Sequence, residues 1–176
     1  MNSSTGPRPG PDSPCPYNTF LEILRVLPLF SGVPLEACKV LAYLCLSETF
    51  QPGDFLIRQD EHCDCFRHVT CGRLLVTRRQ GEEVVTVKEL AEGDSFGGLG
   101  LIIGGKSLFD VQALESTTVM TLSREKYQKT AQRFPQIEPA LLSALAQHVL
   151  AWEERFLNRH PEQFTQLSQD FGLSLY

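Results

Sequence analysis

The stretch GLIIGGKS, residues Gly100 to Ser107, satisfies the pattern G-x-x-x-x-G-K-[ST] letter for letter, the signature of a loop whose backbone amides cradle nucleotide phosphates. Its reading decides the fold. A working phosphate loop requires a buried strand directly before the glycines and a helix directly after, because the helix N-terminus and the turn amides hold the phosphates together. It also belongs to domains that alternate strands and helices around a parallel sheet, with a later strand ending in an acidic residue for magnesium. The flanking residues do not meet these conditions. SLFDVQALESTTVMTLS has room for a turn or two of helix, but its second half is β-branched and strand-like, and TTVMTL runs into Ser123 and Arg124. A nucleotide hydrolase using Lys106 is therefore the weakest reading, and the dinucleotide-type spacing Gly98-x-Gly100 fails for the same reason.

Outward from this stretch, the chain between Glu48 and about Leu122 consists of short apolar segments separated by turns: PGD at 52–54, CG at 71–72, QGEE at 80–83 and EGD at 92–94. Turn signals at this spacing predict a compact all-β sandwich or jelly roll. Helices flank it. Phe20, Ile23, Leu24 and Leu27 recur three and four apart from Tyr17 until Pro28 interrupts, and a second helix after Pro34 presents Leu35, Val40, Leu41 and Leu44. Ser123 before Arg124-Glu125-Lys126 marks another helix start, which Phe134-Pro135 ends.

A longer helix is expected from Pro139 to Asn158. Leu142, Leu145, Val149, Trp152 and Phe156 are spaced 3, 4, 3, 4 along it, the seam two helices use to pack side by side. A Trp and a Phe on an apolar stripe are costly to leave in water, so a homodimer through this seam is expected, with Leu141 and Leu150 facing inward. The plainer alternative is a helix lying on its own domain. The domain plan is thus a leader at 1–16, a β-roll domain at 17–134, a helix at 135–160 and a tail at 161–176.

Composition narrows the function classes. The 176 residues are 42% hydrophobic and 21% charged, ordinary for a globular domain. No apolar run is long enough to cross a bilayer and the start MNSSTGPRPGPDSPCP lacks the apolar core of a secretory signal, so a cytoplasmic protein with no membrane partner is expected. A net charge of −5 and a pI near 5.4 argue against direct nucleic-acid binding, which needs clustered Lys and Arg. The six cysteines, irregularly placed in such a chain, are expected as free thiols.

From Leu27 onward the pieces fall into a familiar order. LPLFSGVPLEACKVLA is followed by ETFQPGDFLIRQDEHCDCF, which matches "PGe.i..qGd..d.f", then by VTCGRLLVT around a hairpin glycine, LAEGDSFGGLGLI, which matches "l..GdyFGE.al", and TTVMTLSREKYQKTAQRFP. The sequence resembles a cyclic nucleotide-binding domain of the kind shared by Crp/Fnr regulators, protein kinase A regulatory subunits and cyclic-nucleotide-gated channels. The resemblance implies a β jelly roll with N-terminal helices and a C-terminal dimerisation helix, and a phosphate-binding cassette after the FGE motif. Phe96, Gly97, Gly98, Leu99, Gly100, Lys106, Ser107 and Leu108 would form that cassette, with a cyclic nucleotide or another small anion as its ligand and no other cofactor.

Two positions depart from the family. Its Glu, which takes the ribose 2′-hydroxyl, aligns with Gly98, and its Arg, which neutralises the cyclic phosphate, aligns with Ser107. A charge-assisted hydrogen bond contributes about 1.5–3 kcal/mol, so losing both weakens ordinary cAMP binding severely. Lys106 lies one residue from the Arg position and, on extended backbone, faces the other way. Leu108 and Phe109 replace the usual small residues and are expected to fill part of the pocket, while the Gly97 to Leu99 amides and the Ser107 hydroxyl remain as anion donors.

His62, Cys63, Cys65, His68 and Cys71 crowd soft-metal ligands into a short run. Their spacing is no standard zinc pattern, and small buried or rim residues of a strand pair are the expected reading. No nucleophile elbow or HExxH motif occurs; Glu48, Asp54, Glu61 and Asp94 are expected at solvated turns. The sequence thus predicts a non-enzymatic sensor or regulatory domain, with a ligand-free dimeric scaffold as the alternative. With so few residues after the long helix no DNA-binding helix-turn-helix is expected, and the protein partner is left open.

Overall fold

The computed structural model describes residues 16–159; the tail and all of the leader but Pro16 lie outside them. Pro16 opens helix α1 (Pro16–Val26), where its fixed φ suits the first position. Phe20 and Leu24 point inward, and the helix stops ahead of Leu27-Pro28 because a residue before proline avoids the α region. A single 3-10 turn (Pro28–Phe30) leads to α2 (Leu35–Leu44), which buries Ala37, Cys38, Leu41 and Ala42.

The next segment supplies the roll: β1 (Leu46–Phe50), β2 (Phe55–Ile57), β3 (Cys65–Cys71), β4 (Leu74–Gln80), β5 (Glu83–Leu90), β6 (Ser95–Phe96), β7 (Asp110–Ala113) and β8 (Thr117–Ser123). Between β6 and β7 lies the short helix α3 (Gly98–Ile102); after β8 come α4 (Arg124–Arg133) and α5 (Ile137–Arg159). The strands form two antiparallel sheets, β1-β8-β3-β6 and β2-β7-β4-β5. This is the jelly-roll-like architecture that the turn spacing predicts. The residues after Lys106 run into β7 and not into a helix, so GLIIGGKS lacks the helix start a phosphate loop requires.

Three of the four acidic residues expected at turns close them. Asp54 accepts the Gln51 amide at 2.8 Å, Glu61 the Arg58 amide at 2.9 Å and Asp94 the Ala91 amide at 3.0 Å, each three residues back. Glu48 differs: it lies in β1, where its carboxylate accepts the Thr121 hydroxyl. Ser123 caps α4 through the Lys126 amide, and Pro139 falls in the first turn of α5, two residues after the helix begins, where a missing N–H is tolerated.

The period of two along β3 and β8 divides the interior. Phe66, Met120 and Leu122 face the helices and join Phe20, Leu24, Phe30, Leu41, Tyr127, Ile137 and Leu141 in one core. Val69 and Val119 face the other sheet and meet Leu56, Ile57, Leu74, Val76, Leu90 and Val111 in a second. Phe66 also meets Phe30 edge to face, with centroids 5.5 Å apart.

Asp60 stands where the family pattern "qGd" has glycine, and its φ is +69°. Left-handed backbone is strained for any residue with a Cβ, though least for Asn and Asp. Asp60→Gly is expected to raise stability by about 0.5 kcal/mol, readable as a higher midpoint in urea denaturation; a lower midpoint would show that the Asp60 side chain contributes more than the strain removes.

Candidate functional site

The cassette runs from Gly97 to Phe109 and is held flat on the connection between β2 and β3. Gly97, at φ +80°, caps α3, and a Cβ on it would stand 2.2 Å from the Cys65 carbonyl oxygen. A Cβ on Gly100 would stand 2.5 Å from the Cys63 carbonyl oxygen. Only glycine allows α3 to approach this closely. The returning loop is zipped to the same connection: the Cys63 amide donates to Gly105 O (2.8 Å), the Ser107 amide to Glu61 O (2.8 Å) and the Asp60 amide to Ser107 O (2.8 Å). From α4, the Arg124 guanidinium donates to Ile102 O at 3.1 Å, at the end of α3.

At the two anchor positions the site has different chemistry from the family's. A Cβ on Gly98 would meet Leu29 Cδ2 at 3.1 Å, so the 3-10 turn crowds the place where a Glu side chain would start. The Ser107 hydroxyl donates to Phe109 O at 2.7 Å and accepts the Phe109 amide at 3.3 Å, which turns it onto its own segment. Lys106 is exposed and forms an isolated bridge with His62, while Ser107 is half-buried; the two point apart, as extended backbone requires. Phe109 and Phe96 pack against the second core. Leu108 does not fill the pocket: it is 60% exposed, as is Leu99, because the alternation that brings Phe109 inward sends its neighbour out.

A polar group inside the roll escaped the sequence reading. Arg67, on β3, pairs in register with Thr121 and Phe96 and shares the inward face with Val69. Its side chain is only 13% exposed and its Nε lies 3.9 Å from Glu48 Oε2, beyond hydrogen-bonding distance, leaving that Nε without a partner. The available signal was the single Arg of that strand, between Phe66 and His68.

The soft-ligand run is dispersed by its strand. His68 faces the helices, where its Nδ1 and Ser95 Oγ are 2.8 Å apart and burial holds the imidazole below its ordinary pKa. Cys71 is exposed at the far end of β3. Among the described residues no three His, Cys, Asp or Glu side chains converge as a metal site. Cys63 and Cys65 do come together, with Cys63 Sγ 3.7 Å from Cys65 O.

Along α5, Leu142 (55%), Val149 (51%) and Trp152 (56%) are exposed, Leu145 and Phe156 are half-buried, and the Trp152 and Phe156 rings stack at 5.5 Å. Leu141 faces inward as expected. Leu150 does not; it is half in water, because only the first turns of α5, through Ile137 and Leu141, lie on the domain. No described helix is long and apolar enough to cross a membrane.

A two-sheet antiparallel roll with a glycine-built cassette across it and helices packed on one sheet is the build of a regulatory domain for small ligands. The chain belongs to the cyclic nucleotide-binding domain family, whose model matches residues 47–134, half of its length. It is 27% identical over 123 residues to an uncharacterized NTE family protein of Mycobacterium tuberculosis, covering 70% of this chain and 21% of that one; the chain thus spans about a fifth of that relative's length. The N-terminal domain of a transcriptional regulator from Streptomyces coelicolor has the same fold, with a TM-score of 0.67 at 22% identity over 75% of this chain and 95% of that one. So has the regulatory subunit of a cAMP-independent protein kinase A from Trypanosoma brucei in a triple-mutant form, with a TM-score of 0.60 at 23% identity over 75% and 45% of the two chains.

Proposed function

We propose that this chain is a non-catalytic regulatory domain whose cassette does not recognise ordinary cyclic nucleotides and serves a different small anion. The observation that carries this is the pair of anchors: Gly98 supplies no carboxylate and is crowded by Leu29, and Ser107 supplies no cation and spends its hydroxyl on Phe109. The Trypanosoma subunit offers a parallel. It is described as cAMP-independent, and the form bound to cAMP carries three substitutions, an alanine in place of a glutamate, an arginine in place of a threonine and an alanine in place of the adjacent valine. Titration calorimetry of this chain with cAMP and with cGMP is expected to give no binding at micromolar ligand. Micromolar or tighter affinity for either would overturn the reading.

The exposed α5 stripe favours a second element of the proposal, a homodimer through Leu142, Leu145, Val149, Trp152 and Phe156. Leu142, Val149 and Trp152 together leave large apolar surface in water, and the net charge of −5 gives that surface no attraction to nucleic acid or anionic membrane. In sedimentation velocity the chain is expected to run as a dimer, and Trp152→Ala to weaken association by about 2 kcal/mol, roughly 30-fold. A monomer at high micromolar concentration would remove this element and leave the ligand reading intact.

A further inference from the structure

Cys63 packs against the second core and Cys65 pairs with Ser123, yet neither thiol has a part in the ligand chemistry proposed above, and the two residues form the floor of the cassette. Cys65 O lies under Gly97, Cys63 O under Gly100, and a Cβ on Gly100 would also stand 3.5 Å from Cys63 Sγ. The Cys63 amide holds the loop through Gly105 O at 2.8 Å. The two cysteines are half-buried, and the Cys63 thiol donates to Cys65 O, two residues on, at 3.7 Å. Arg67 follows Cys65 on the same face of β3.

This setting separates the two thiols electronically. The hydrogen bond from the Cys65 thiol, helped by the Cys65 backbone and the charge of Arg67 and opposed by burial and Asp64, holds Cys63 below the usual thiol range. The same hydrogen bond and burial push Cys65 far above the usual thiol range. Cys63 is thus the readier of the two to ionise and Cys65 the harder, the asymmetry of an attacking sulfur and its resolving partner.

We propose that Cys63 and Cys65 are a hydroperoxide-reactive dithiol site whose oxidation to an intramolecular disulfide releases the cassette. The Cys63 thiolate attacks the peroxide, an S–O bond forms as the O–O bond breaks, and the departing oxygen leaves as water once protonated. The Cys65 sulfur then displaces the hydroxyl of the Cys63 sulfenic acid, its proton leaving with that hydroxyl as a second water. Two thiols are oxidised by two electrons and one peroxide is reduced. Drawing the sulfurs together rotates the peptide groups whose oxygens lie under Gly97 and Gly100, so α3 loses its support. None of this depends on which ligand the cassette holds.

The test uses the full, freshly reduced chain with equimolar hydrogen peroxide, read by differential alkylation, peptide mass spectrometry and amide exchange. A Cys63–Cys65 peptide lighter by two hydrogens is expected ahead of any oxidation at the exposed Cys71. Cys65→Ser is expected to stop at a sulfenic acid that dimedone traps on Cys63, and Cys63→Ser to leave Cys65 reduced. In the disulfide form the amides from 97 to 105 are expected to exchange about tenfold faster, the signature of a local opening. Oxidation of Cys71 at the same rate as Cys63 overturns the reactive site; disulfide formation with unchanged exchange overturns its link to the cassette.

Discussion

Ser107→Arg combined with Leu108→Ala is expected to raise cAMP affinity by about 10- to 150-fold over the unmodified chain, the equivalent of one charge-assisted contact to the phosphate at about 1.5–3 kcal/mol. Position 107 is half-buried within the cassette, while Leu108 is exposed and its truncation removes no core contact. The Ser107 hydroxyl is the group displaced, and its bonds to Phe109 are local, so little else has to rearrange. Adding Gly98→Glu is expected to contribute less than a full second contact, because its Cβ must first displace Leu29 Cδ2 from 3.1 Å; a further Leu29→Ala should recover the difference. Calorimetry against cAMP decides it. No gain from the new arginine would mean that Phe109, and not the missing cation, closes the pocket.

Gly97→Ala is expected to cost about 3–5 kcal/mol, within the range where small domains lose most of their stability. Two causes add. The φ of +80° is strained for any L side chain, and the new Cβ would lie 2.2 Å from the Cys65 carbonyl oxygen, a backbone atom that cannot swing aside. Gly93→Ala isolates the first cause, since φ there is +91° with nothing within 4 Å; about 1 kcal/mol is expected. Urea midpoints for the two variants should differ accordingly, and equal losses would mean that the close approach at Gly97 relaxes without penalty.

Much of this was legible in the letters, for reasons that differ by element. Turn chemistry placed the strands: PGD and EGD put an acidic residue where its carboxylate closes the turn, so spacing alone revealed the roll. Pro28, Pro34 and Pro135 marked helix ends because proline acts on its own neighbours. The eight-letter phosphate-loop match misled for the opposite reason, since its meaning depends on what precedes and follows it. The anchors at Gly98 and Ser107 came from the family pattern; that Leu29 guards one and Phe109 engages the other depends on contacts across the chain. Arg67 with Glu48 and Thr121, brought together from three strands, left no local trace beyond the one Arg in its strand. Leu150 was misplaced because periodicity gives the face of a helix and not how far the body beneath it extends.

The alternation along β3 and β8 makes one sheet the shared wall of both cores, with Phe66, Met120 and Leu122 on one side and Val69 and Val119 on the other. A strand residue cannot leave one core without turning its neighbours out of the other, so helices and roll are expected to melt together, in one transition. Motion in the cassette has a short route outward, since its Leu101 is buried in the helical core with Tyr127 of α4 and Leu141 of α5. The helix of the cassette thus shares one apolar core with α4 and α5.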